Sequence, residues 1–120
     1  MQFLNISNHP SSKWCEGQNL ATKRLGGEAI IDVKFPNVAT WWDAEGMAEV
    51  AQEILANYDL DNVTGAMVAG EPIMCIAFVR CLQAAGITCY SAASDRVVEE
   101  IDGAKISRFA FMRFREWPKL

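Results

Sequence analysis

The sequence predicts a Rossmann-like α/β fold, a three-layer sandwich whose mostly parallel sheet ends in a C-terminal antiparallel β-hairpin. Short apolar runs of strand length alternate with stretches of helical periodicity along most of the chain. Near the end, Asp102-Gly103 separates two extended runs, and that dipeptide favours a two-residue hairpin turn. The 120 residues suit one domain with its own core, and no linker, repeat or low-complexity segment divides them, so 1–120 reads as a single domain.

Residues 2–7 carry Phe3, Leu4 and Ile6 and form the first strand. The polar loop Asn8-His9-Pro10-Ser11-Ser12 follows, with Ser12 placed to cap a helix from about Lys13. That helix turns Trp14, Ala21 and Leu25 inward and stops at Gly26-Gly27. Residues 29–33 make the second strand, ended by Phe35-Pro36-Asn37. Thr40, with Asp43 three residues on, predicts the cap of the next helix. There Met47, Val50, Ala51, Ile54, Leu55 and Tyr58 recur at helical spacing opposite Glu45, Glu49 and Glu53.

Residues 63–68 form the third strand and run into Ala69-Gly70-Glu71-Pro72, where Pro72 suits a first helical turn. The helix from Ile73 to Ala85 is apolar on nearly every side and should be the most buried; Gly86 ends it. Residues 87–91 form a fourth strand, and 95–101 and 105–117 two hairpin strands. The expected order is therefore β-α-β-α-β-α-β-β-β, with helices on both faces of the sheet.

Composition narrows the function. A net charge of −4 argues against coating long nucleic acid, which needs many Lys and Arg contacts to phosphates, but permits a small phosphate-bearing ligand. The basic residues Lys105, Arg108, Arg113, Arg115 and Lys119 crowd residues 105–120. The longest apolar run, 73–79, is too short to cross a bilayer, and the N-terminus reads as a strand rather than a signal peptide. Four cysteines without a C-x-x-C pair, and one histidine, offer no familiar zinc site and fit reduced thiols in the cytoplasm. No cofactor is expected, since neither a Walker A loop nor a G-x-G-x-x-G fingerprint is present.

In a sheet of this type ligands bind beyond the carboxyl ends of the strands, where strand order reverses. Three segments should meet there: Ser7–Ser12, Ala69–Pro72 and Ser91–Arg96. Ser7, Asn8 and Ser11 offer small polar groups ahead of a helix N-terminus, which favours an anion. Gly70, Glu71 and Pro72 form a second turn where backbone can approach a ligand. Ser94 and Arg96 close the third side, the Arg96 fork matching phosphate oxygens, although Glu99 or Glu100 could instead pair with it. His9 is the candidate acid or base, with no carboxylate partner at an informative spacing.

The segments Asn5-Ile6-Ser7-Asn8-His9-Pro10 and Val68-Ala69-Gly70-Glu71-Pro72-Ile73-Met74, with the terminal hairpin, resemble the small CRISPR-associated Rossmann-fold (CARF-like) ancillary proteins. The resemblance covers most of the chain in layout. It implies a cytoplasmic homodimer that holds one cyclic oligoadenylate across its two-fold axis in antiviral signalling. Some members only sense or sequester that ligand; others are ring nucleases, metal-independent phosphodiesterases in which a ribose 2′-OH attacks the phosphate. Family ligand contacts map onto Ser7, Asn8, His9, Ser11, Gly70, Glu71 and Pro72. The Gly-Glu-Pro turn departs from the Ser/Thr-Gly-rich turn of well-marked members, and no effector domain is fused. The competing expectation is a non-catalytic interaction module whose working surface is Trp41-Trp42 and the aromatic-basic C-terminal strand.

Overall fold

A computed structural model describes residues 1–120. Its elements are β1 (Gln2–Ser7), α1 (Glu16–Arg24), β2 (Ala29–Lys34), α2 (Ala44–Leu55), β3 (Val63–Val68), α3 (Pro72–Ala84), β4 (Thr88–Ile101) and β5 (Ala104–Glu116). Single 3₁₀ turns at Ser11–Lys13 and Leu60–Asn62 precede α1 and β3. One sheet runs in the order β2-β1-β3-β4-β5; its first four strands are parallel and β5 is antiparallel to β4. The predicted α/β class, parallel sheet and terminal hairpin are all present.

Three local expectations are corrected. The first helix begins at Glu16, with Cys15 rather than Ser12 at its cap, because Ser11–Lys13 closes as a 3₁₀ turn and Trp14 continues as extended backbone. Trp14 is still buried, but from the segment before the helix. The second helix is capped by Asp43, whose Oδ1 accepts from the Gly46 amide at 2.8 Å, and Thr40 lies in the preceding turn. Residues 87–91 and 95–101 are not two strands. Ala92-Ala93-Ser94 contains no Gly or Pro to break the run, so one strand of 14 residues continues through it, and the sheet has five strands rather than six.

Side chains alternate across the strands, and each face takes its own helices. Leu4 and Ile6 of β1, Val33 of β2, and Ala66 and Val68 of β3 pack in one cluster with Met47, Ala51 and Leu55 of α2 and five buried residues of α3. Phe3, Met67 and Trp14 form a smaller cluster on the α1 face, flanked by Ile30, Tyr90, Ala92 and Phe114. The α2 stripe is as expected, and α3 is the most buried helix, contributing Met74, Cys75, Phe78, Val79 and Leu82.

The chain moves outward from β1 to β2 and then returns to place β3 on the other flank of β1. Strand order therefore reverses between β1 and β3, which opens a crevice at their carboxyl ends. The Ala69 amide donates to the Ile6 carbonyl at 3.0 Å, so the loop after β1 and the turn after β3 leave from one rim. The hairpin turn is as predicted: Asp102 at φ 50° and Gly103 at φ 79° have the two positive values of a type I′ turn.

Candidate functional site

The rim is organised by a polar network that begins inside the sheet. Asn5 is buried on β1, and its register partner on β2 is Asp32. The Asn5 Nδ2 group donates to Asp32 Oδ1 at 3.0 Å and to the His9 carbonyl at 2.8 Å. Asn5 Oδ1 accepts from the Ser7 hydroxyl at 2.7 Å, and Ser7 Oγ accepts from the His9 amide at 3.1 Å. The Ser11 amide donates to both Asp32 carboxylate oxygens, at 3.2 and 3.3 Å. A buried amide with all its groups engaged fixes one loop conformation, since leaving any of them unpaired would cost about 1–3 kcal/mol.

Two of the amide clusters expected to receive a ligand anion already hold a carboxylate of the chain. Asp32 occupies the Ser11 amide. Glu71 caps α3, its Oε1 accepting from the Ile73 amide at 3.1 Å and its Oε2 from the Met74 amide at 2.8 Å. Gly70 provides room for the Phe35 ring: a Cβ there would lie 2.5 Å from Phe35 Cζ. Pro72 begins α3 as the sequence indicates.

The larger opening at the rim lies on the α1 face. It is a cavity of about 500 Å³, floored by Met67, Ala69 and Ala92 and walled on one side by Ser7, His9, Lys13, Cys15 and Gln18. Ser94 and the β5 residues Arg108 to Phe111 form the opposite wall. No Asp or Glu lines it, although the chain has 15 acidic residues against 11 basic ones. Lys13 and Arg108 supply positive charge, the latter shared with Glu99, whose Oε1 lies 3.1 Å from Arg108 Nη2. The first turn of α1 borders the cavity through Cys15 and Gln18, and the cap residue Cys15 makes no side-chain hydrogen bond there. Glu16 stands in that first turn and offsets the positive helix end, so the charge at the cavity comes from Lys13 and Arg108.

Ser7, His9 and Ser94 thus come together on one cavity. Asn8 lines a separate hollow of about 240 Å³ on the β2 side, together with Asp32 and Lys34. Arg96 stands out on the hairpin opposite Phe109, away from the cavity, and Glu99, one of its two expected partners, pairs with Arg108 instead. Sequence reasoning gave no ligand role to Asp32 or Lys13, and placed Arg108 and the β5 aromatics only on the surface of the competing interaction module. A signal for the Asn5–Asp32 pair existed: each is a polar residue with apolar residues on both sides inside its strand.

Of the four cysteines, only Cys15 reaches this cavity. Burial, and then the nearby Glu71 charge, push the Cys75 thiol up to about 11; burial alone pushes Cys89 up to about 12. Both stay protonated at neutral pH and act as core volume. No helix is long and apolar enough to cross a membrane.

Comparison with curated proteins and with solved structures finds no match. A family model matches residues 1–115, all three helices and all of the sheet but the last residue of β5, and the chain therefore belongs to the family described as "Uncharacterized protein MJ1673 family".

Proposed function

We propose that this chain binds a phosphate-bearing ligand of the cyclic oligoadenylate class in the cavity between the β1 loop, α1 and β5. The observation that carries the reading is a ligand-sized cavity without a single acidic lining residue, in an acidic protein, at the point where strand order reverses. Its volume falls in the range of small-molecule sites, about 300–1,000 Å³. Met67, Phe109 and Phe111 offer apolar surface for bases, while Lys13 and Arg108 offer charge for phosphates. The resemblance of the Asn5–Pro10 and Val68–Met74 segments to CARF-like proteins selects the cyclic oligoadenylates within that class.

Should the ring be cleaved, a ribose 2′-OH would lose its proton, form the new P–O bond and expel the 5′-oxygen, which takes up a proton. The product is a 2′,3′-cyclic phosphate. His9 at the cavity wall is the candidate for one of those proton transfers, and Lys13 for neutralising the phosphorane charge. Labelled cyclic tetra- and hexa-adenylate incubated with the protein test both steps. Binding at least tenfold weaker in Lys13→Glu and Arg108→Glu is expected, the loss of one charged contact each. Binding kept with cleavage lost in His9→Ala would assign the proton transfer. Two intact, unshifted rings would end the reading.

A second reading, the interaction module, is favoured by Trp41, 82% exposed and edge-to-face with Trp42 at 6.2 Å. Nucleotide binding that is absent, or unchanged by Lys13→Glu and Arg108→Glu, would support it.

A further inference from the structure

β3 pairs with β4 only through Thr88–Tyr90, so from Ser91 onward β5 is the only strand beside β4, and beyond Ala92 and Phe114, which pack toward Trp14, the pair projects from the sheet. The two strands run on together to the turn at Asp102-Gly103, a ribbon roughly 35 Å long at about 3.3 Å per residue. The radius of gyration is 15.5 Å. A compact chain of this length would have one of about 13–14 Å.

A two-stranded ribbon is at best marginally stable in water by itself. This one also leaves apolar side chains wet: Val98, Ile101, Ile106, Phe109 and Met112 are all at least 47% exposed, half of the chain's large exposed hydrophobic residues. Residues facing each other across the ribbon share a face, so Val98 and Phe109 stand on one side and Ile101 and Ile106 on the other. A single flat contact would cover only one of these sides.

We propose that this arm joins two copies of the chain, each arm gripped between the partner's arm and the partner's sheet. A second copy is favoured by charge. The β4 half carries Asp95, Glu99 and Glu100 with one base, Arg96, whereas the β5 half carries Lys105, Arg108, Arg113 and Arg115. Only Glu99 and Arg108 pair within the arm, so the other charges remain for a partner. An isologous interface must complement itself, and an acidic strand beside a basic one does so when a second arm lies alongside in the opposite lateral sense. Phe109 and Arg108 belong both to the arm and to the cavity wall, so association would also close that cavity; this last consequence rests on the ligand reading above, and the association itself does not.

Sedimentation equilibrium of the full chain without ligand, from 1 to 100 μM, tests the association apart from ligand binding. A dimer is expected for the natural sequence, with Phe109→Glu and the milder Phe109→Ser shifted at least tenfold toward monomer while their far-ultraviolet circular dichroism is unchanged. A natural sequence monomeric at 100 μM overturns the proposal, as does a dimer that both variants leave intact. Dimerisation without any nucleotide binding would keep the arm proposal and end the ligand one.

Discussion

Gly70→Ala separates a structural role for the turn after β3 from a ligand-contact role. A Cβ built on Gly70 meets Phe35 Cζ, Cε2 and Cε1 at 2.5, 2.6 and 2.7 Å. Carbon atoms prefer about 3.5–4.0 Å, so the methyl overlaps three ring atoms by nearly an ångström. The ring cannot retreat, because Phe35 is 2% exposed and packs on the fully buried Phe78 at a centroid distance of 5.7 Å. Overpacking of this kind costs about 1–3 kcal/mol. At about 4 °C per kcal/mol for a domain of this size, Gly70→Ala should lower Tm by about 4–12 °C in a calorimetric or dichroism melt. Phe35→Leu removes the three offending atoms, at its own expense of about 1–2 kcal/mol. In that background the steric part of the Gly70→Ala penalty should vanish while the backbone part, from φ 159°, remains, leaving a coupling of about 1–3 kcal/mol in the double-mutant cycle. Gly70 does not line the cavity, so affinity for a nucleotide should hardly change. An unchanged Tm with weakened nucleotide binding would refute the steric account.

Two further outcomes follow from the polar network and the buried thiols. Asp32→Ala removes the acceptor for Asn5 Nδ2 and the Ser11 amide; a loss of about 1–2 kcal/mol is expected, with faster hydrogen exchange at Ser11, and protection kept at that amide would argue against the network. Alkali should destabilise the fold through Cys75 and Cys89. The unfolded thiols ionise near 9.0 and the folded ones near 11 and 12, so above pH 9 the folded state holds more protons. Stability is complete below pH 9 and falls as pH rises toward 12. The urea midpoint should decline across that window, less steeply in a Cys75→Ala, Cys89→Ala double variant; equal slopes would contradict the assignment.

Much of the fold was legible because each element carries its own local signal. The α2 stripe, Pro72 at the start of α3 and the Asp102-Gly103 turn all act within a few residues, and each appears where expected. The errors fall where a residue's fate depends on a distant partner. Ser12 is as good a cap as any serine, but the Ser11 amide is already claimed by Asp32, which lies 21 residues away and meets it only through sheet register. The capping pattern at Thr40 lost to Asp43, because the side chain that reaches the Gly46 amide is the one next to the helix. The site was legible as a rim and not as a cavity, since its cationic wall joins the β1 loop to a strand about a hundred residues later.

The two carboxylates at the rim bear on where an anion can go. Backbone amides at a strand-to-helix turn attract whatever negative charge is nearest, and Asp32 and Glu71 are tethered there at an effective concentration that a free ligand rarely matches. With those amides satisfied, the polar loops after β1 and β3 support the fold, and a ligand phosphate placed beside them would meet like charge. The α1 face is different. Its helix start has no side-chain cap but carries Glu16 in the first turn, so attraction for an anion rests on Lys13 and Arg108, which face no acidic lining residue and only one of which Glu99 draws on. The two connections from a strand into a helix thus present different charge to a ligand at the same rim. What decides each case is which charged side chains the fold brings to the rim: Asp32 and Glu71 at the amides of the β1 loop and of α3, Lys13 and Arg108 at the cavity.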